Sequence, residues 1–274
     1  MSAAGAWWRD VVGLVLPRGC AGCDLPDEVL CPSCAGMFHG TVVVGTAAGL
    51  PCRVYACAVY EGVVRHAVLS WKDHGDEECD RPFARLLREP LRRALGDCGY
   101  GSCDDAGHGG VGDDGDDGDV GGAGGDGVGG VGCHVAAGGP YRPLLVPAPS
   151  SRASLRRRGR RHLDPLVRSL ARSVGRPDVR PQVMRALEYR RAGVLSGRKS
   201  VETAGATDRA ARVEGRIRVR QGAMVRGRDV IVVDDIITTG ATMRACMTAL
   251  ERAGAHVAAG LVLAATPRYG ISAG

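Results

Sequence analysis

Residues 230–242 read Val-Ile-Val-Val-Asp-Asp-Ile-Ile-Thr-Thr-Gly-Ala-Thr. Four apolar residues in a row suit a strand buried on both faces. Two adjacent acids end that run, and a Thr/Gly turn follows. Ala241 to Ala253, stopped by Gly254, is predicted to be a helix. Open α/β sheets bind ligands beyond the carboxyl ends of their strands. There, Gly240 would let the backbone approach a phosphate, and Thr238, Thr239 and Thr242 would supply hydroxyls. From Ala241 onward the helix start would supply unpaired N–H groups. The helix field adds only about 0.3–1 kcal/mol for an anion, so hydrogen bonds must do most of the holding. Two carboxylates turned toward a phosphate would repel it. Asp234 and Asp235 are better read as acceptors for neutral hydroxyls, such as the 2′ and 3′ groups of a ribose. No Gly-Lys-Ser/Thr follows, so the segment is not a P-loop.

A second constellation lies near the N-terminus. Cys20 and Cys23 form one C-x2-C pair, and Cys31 and Cys34 form another. Four thiolates at this spacing can enclose a tetrahedral zinc with no open position, which is a structural rather than a catalytic site. The remaining cysteines show no such pairing, and Cys246 falls in the helix expected after the Thr/Gly turn, where a core role suits it.

The chain has 274 residues, enough for one sizeable α/β domain and a small accessory module. Its net charge of +6 conceals an asymmetry: residues 96–139 hold nine Asp and no Lys or Arg, leaving +15 elsewhere (6 + 9). Nearly all that cationic charge is Arg; Lys72 and Lys199 are the only lysines. Guanidinium groups suit phosphate and pyrophosphate, and nucleic acid is the other evident polyanionic partner. No stretch reaches the roughly 18 apolar residues of a membrane span. A signal peptide is not expected either, so the chain is read as cytoplasmic, with reduced or metal-bound cysteines.

The elements divide into four stretches. Residues 1–50 hold a short helix over Trp7–Leu16 and the cysteine knuckle. Residues 51–95 hold a strand over Val54–Tyr60 and helices over Glu61–Lys72 and Phe83–Leu95, with a kink or break at Pro90. Residues 96–139 are rich in Gly and Asp and are expected to be a disordered insert, with too little apolar surface to offset the cost of ordering. Residues 140–274 alternate: strand Pro143–Pro147, helix Asp164–Val174, strand Val183–Leu187, a polar loop over Leu195–Val213, strand Ile217–Val219, then the strand, turn and helix described above and a last strand over Val257–Ala264. Strands alternating with helices predict a central parallel sheet.

The thirteen residues from Val230 resemble the PRPP-binding motif of type I phosphoribosyltransferases. Members that act on hypoxanthine or guanine commonly carry an Asp where Thr238 stands, so the resemblance points away from those acceptors. The knuckle, together with Tyr60-Glu61-Gly62 through Lys72, Val146-Pro147-Ala148-Pro149 and Arg156-Arg157-Arg158-Gly159, resembles the ComF family, phosphoribosyltransferase-like proteins linked to DNA uptake during competence. After Gly159, Arg160, Arg161 and His162 replace that family's Phe-Asn-Gln. The resemblance implies a pyrophosphate loop at Ser150, Ser151 and Arg152 with Arg158 nearby, and a mobile hood carrying Arg198 and Lys199. It implies Mg²⁺ with PRPP, structural Zn²⁺, and transfer of phosphoribosyl to a nitrogen acceptor, with Asp234 and Asp235 as the catalytic acids. The alternative it leaves open is a non-enzymatic factor that keeps the PRPP pocket and acts in nucleotide sensing or, with single-stranded DNA or the uptake machinery as partner, in competence.

Overall fold

A computed structural model of the chain describes residues 19–38, 42–44, 49–100, 142–174, 179–190 and 215–267. The expected Trp7–Leu16 helix, most of the acidic insert and the loop with Arg198 and Lys199 lie outside them. The described elements are α1 (Pro32–Gly36), β1 (Val42–Val44), β2 (Val54–Val59), α2 (Gly62–Leu69), α3 (Asp80–Leu86), α4 (Arg88–Leu95), β3 (Leu144–Pro147), α5 (Arg152–Arg158), α6 (Leu163–Ser173), β4 (Gln182–Val183), β5 (Leu187–Tyr189), β6 (Ile217–Val219), β7 (Asp229–Ile237), α7 (Ala241–Arg252) and β8 (His256–Ala265).

Six strands form the main sheet in the order β1-β2-β8-β7-β3-β4. All neighbours are parallel except β1 and β2. This is the α/β architecture with a mostly parallel central sheet that the alternation predicts. β7 lies inside the sheet, and Val230, Ile231, Val232 and Val233 are fully buried, as a strand covered on both faces requires. Strands β5 and β6 form a separate antiparallel ribbon.

Several expectations change in detail. The Phe83–Leu95 helix is two helices, α3 and α4, meeting at Leu87. Pro90 sits in the first turn of α4, where its missing N–H costs least. The strand expected over Val183–Leu187 is two short strands in different sheets. β7 is longer than its apolar run, and both acids sit in its ladder, with Asp234 opposite Val262 of β8. The insert begins later than its composition suggests. Gly96–Tyr100 continues α4 as a wide turn, and the Asp97 carboxylate accepts the Tyr55 hydroxyl at 2.6 Å and Arg53 at 3.0 Å.

Candidate active site

Two turns leave the same edge of the sheet side by side. Pairing of Pro147 with Val233 brings the end of β3 next to the two acids of β7, and the Ala148 N–H donates to the Val233 carbonyl at 2.8 Å. The β7 turn runs Thr238-Thr239-Gly240 into α7. Gly240 has φ +72°, the left-handed region that favours glycine. Thr239 Oγ1 faces the Ala241 N–H at 3.4 Å, and Thr266 Oγ1 donates to the Thr238 carbonyl at 3.1 Å. Thr238 is exposed, Thr239 and Thr242 are half-buried, and Gly240 and Ala241 are buried. The five residues therefore form the mouth of one turn.

Successive residues of a strand face opposite sides, and the two acids meet different surroundings. Asp235 is buried. Its Oδ2 receives the Lys72 ammonium at 2.5 Å and His162 Nε2 at 2.8 Å. Its Oδ1 accepts the Ile236 N–H at 2.8 Å. Burial alone would raise its pKa, but the His162 hydrogen bond and the Lys72 charge outweigh it and hold the carboxyl well below its usual range. Asp234 Oδ1 accepts the Asp235 N–H at 2.8 Å. Burial, and then repulsion from Asp235, push it up to about 7. One acid is thus fixed as an anion, while its neighbour titrates near neutrality.

Further groups brace Asp235. Lys72 lies in a wide turn, Ser70–His74, that continues α2. The adjoining Asp73 accepts Arg158 Nε at 2.9 Å and Arg157 at 3.0 Å. Arg158 also faces His162 Nδ1 at 3.3 Å. Trp71 is fully buried. Its indole N–H donates to Asp80 at 2.7 Å, and Asp80 also accepts Arg160 at 3.0 Å.

The turn after β3 opens α5. Ser151 caps that helix by accepting the Ser154 N–H at 3.0 Å. Ser150, Ser151 and Arg152 line a groove of about 1120 Å³ whose opposite wall is the β5–β6 ribbon with Arg190, Arg216 and Arg218. The structure brings those three loop residues together and places Arg158 elsewhere, at the far end of α5, against Asp73 and His162.

The knuckle cysteines also converge. One Sγ from each of Cys20, Cys23, Cys31 and Cys34 lies within 4.8 Å of all the others. The Cys31 N–H points at Cys20 Sγ at 3.2 Å, and the Gly22 N–H at 3.4 Å. Burial works against the Cys20 thiolate, yet these N–H groups bring its pKa down to about 7. The donor set fits a closed four-thiolate metal site. A Cβ on Gly22 would meet Cys34 Sγ at 2.8 Å and Val63 at 2.9 Å, so glycine is needed where the knuckle packs on α2. From the knuckle a run of rings leads inward. Phe38 lies 5.6 Å from Phe83, Phe83 lies 5.3 Å from Trp71, and Trp71 lies 4.9 Å from His162.

Sequence reasoning singled out no role for Lys72, Asp73, Trp71 or His162. One signal was present for Lys72: a lysine kept in a chain that otherwise uses arginine marks a place where a compact ammonium is wanted. His162 stood only as a departure from the Phe-Asn-Gln of the ComF resemblance, and its partner lies 73 residues away.

No curated protein matches the chain. Residues 155–271, from α5 through the turn after β7 and beyond β8, match the family model described as the phosphoribosyl transferase domain.

Proposed function

We propose that the chain is a phosphoribosyltransferase of the type I kind, which binds PRPP and joins its phosphoribosyl group to a nitrogen acceptor. The carrying observation is the separation, within one strand–turn–helix, of acids that can accept ribose hydroxyls from the Thr238–Thr242 turn that can donate to a 5′-phosphate. Among the described residues Asp234 keeps the greater acceptor capacity and takes one ribose hydroxyl, leaving the other to Asp235 Oδ1. Asp235, held by Lys72 and His162, keeps a fixed negative charge beneath the sugar. As the C1–oxygen bond breaks, its electron pair leaves with pyrophosphate and C1 becomes cation-like. The two acids stabilise that charge before the nitrogen lone pair attacks the opposite face. Mg²⁺ entering with the substrate would offset the pyrophosphate charge. The groove beside Ser150, Ser151 and Arg152 is the natural place for pyrophosphate, since exposed guanidinium groups face it across the ribbon. The hood residues Arg198 and Lys199 belong to the same proposal.

The four cysteines are assigned one structural zinc, and their combination with the turn motif supports membership of the ComF family and a cytoplasmic setting. No described helix is long and apolar enough to cross a membrane. The decisive experiment is calorimetric titration of Mg-PRPP into the wild type, Asp234→Asn and Gly240→Val, with circular dichroism as a fold control. Above its raised pKa of about 7, Asp234→Asn removes a charge-assisted hydrogen bond worth about 1.5–3 kcal/mol, or one to two decades of affinity. Gly240→Val forces a β-branched residue into the left-handed region and blocks approach to the phosphate. Equal binding by all three folded proteins would place the pocket elsewhere. Pyrophosphate release across a panel of bases then identifies the acceptor.

A further inference from the structure

We propose that His162 is a positioning residue for the second acid, acting as a neutral imidazole with its proton on Nε2. Its functional consequence rests on the PRPP reading above; its geometry does not.

His162 is 3 % exposed. Nδ1 lies 3.3 Å from an Arg158 Nη1, and Nε2 lies 2.8 Å from Asp235 Oδ2. A guanidinium carries donors only, so Nδ1 accepts and the ring's one proton sits on Nε2, aimed at the carboxylate. Both neighbours are held in turn. Arg158 is anchored on Asp73, and Lys72 occupies the remaining position on Oδ2. The edge of Trp71 meets the imidazole at an interplanar angle of 75° and prevents it from swinging aside.

The arrangement decides what Asp235 can offer. Oδ2 has its two acceptor positions filled by Lys72 and His162, and Oδ1 has one filled by the Ile236 N–H. Among the described residues one acceptor position is left, on Oδ1, with its direction set by the other three bonds. A carboxylate so fixed can take one hydroxyl without reorienting, which is preorganisation of the binding acid. The same side chain ties the two turns together. Arg158 ends the helix that Ser151 caps, and Asp235 precedes the phosphate turn. The job requires a donor at one end and an acceptor at the other, with the reach of an imidazole. A glutamine amide meets that requirement and leucine does not.

The test combines His162→Gln and His162→Leu with a spectroscopic readout of the wild type. Nitrogen-15 NMR of histidine-labelled protein, assigned by the signal lost in His162→Gln, is expected to show Nδ1 as the unprotonated ring nitrogen and Nε2 as the protonated one. In calorimetry with Mg-PRPP, His162→Gln is expected within about threefold of wild type, and His162→Leu about tenfold or more weaker. A proton on Nδ1, a leucine variant that binds like wild type, or a glutamine variant no better than leucine overturns the proposal. If the leucine variant does not fold, the proton position and the glutamine rescue decide. Absence of Mg-PRPP binding by the wild type would instead overturn the PRPP reading, and the NMR result would still settle how His162 holds Asp235.

Discussion

Replacing Lys72 by Met removes the only ammonium that the described residues bring to Asp235 and leaves a buried carboxylate with two N–H donors among them, from His162 and Ile236. Removing one partner of a buried ion pair costs about 3–5 kcal/mol. The lower end applies, because a fifth of the Lys72 side chain reaches solvent and Asp235 keeps its other bonds. For a folded unit of this size each kcal/mol lowers Tm by about 2–4 °C, so a drop of about 6–12 °C is expected at neutral pH. The loss has a pH signature. Asp235 is held below its usual range, so its stabilisation is present above the unfolded carboxyl pKa of about 4 and disappears as pH falls through the folded value. The Lys72→Met deficit therefore narrows on acidification. Adding Asp235→Asn removes the stranded charge, so the double variant should be less destabilised than the sum of the two single changes. Thermal melts of the four proteins from about pH 2 to pH 8 measure this. A Lys72→Met protein within about 2 °C of wild type, or strict additivity, would refute the buried-pair account.

Asp234 should act with the opposite sign. With its folded pKa raised to about 7, it keeps a proton that the unfolded chain has lost above about pH 4, so stability should fall as pH rises through this window, by at most about 4 kcal/mol. Asp234→Asn should flatten that slope, and an unchanged slope in melts would contradict the assignment. Elemental analysis should find one zinc per chain, held by Cys20, Cys23, Cys31 and Cys34, and a strong chelator should unfold the knuckle at apparent binding energies of about 10–16 kcal/mol; metal-free, fully folded protein would exclude it. Deleting residues 101–140 behind a short linker should change Tm by no more than a few degrees, whereas Asp97→Ala should cost about 1–2 kcal/mol by stranding the Tyr55 hydroxyl; the reverse ranking would make the insert part of the fold.

The sequence shows the site where its chemistry is local. Strand, acids, turn and helix follow one another from Val230, and the four cysteines span 15 residues, so spacing alone announced both. The brace on Asp235 joins three separate segments, β7 itself, the turn with Lys72 and the stretch from Arg158 to His162, and no local pattern encodes such a meeting. His162 was visible only as a mismatch to a family block that carries Gln at that place, although the neutral imidazole and the amide share the same pair of donor and acceptor. Asp97 was assigned to the acidic tract because composition averages over neighbours and cannot see a single carboxylate turning back to Tyr55 and Arg53. Pro90 marked a break correctly but three residues late, since proline is tolerated in the first turn of the helix that follows.

The rings of Phe38, Phe83, Trp71 and His162 make the knuckle part of the wall behind Asp235. A chain trimmed at residue 50, the border that composition suggests, would lose Phe38 and uncover the face of Phe83 that it packs against. Phe83 is the edge-on neighbour of Trp71, which in turn meets the ring that holds Asp235. The smallest fragment able to keep the proposed site in shape therefore starts before Cys20, and the largely buried four-cysteine knuckle and the acids at the sheet edge share one mechanical support.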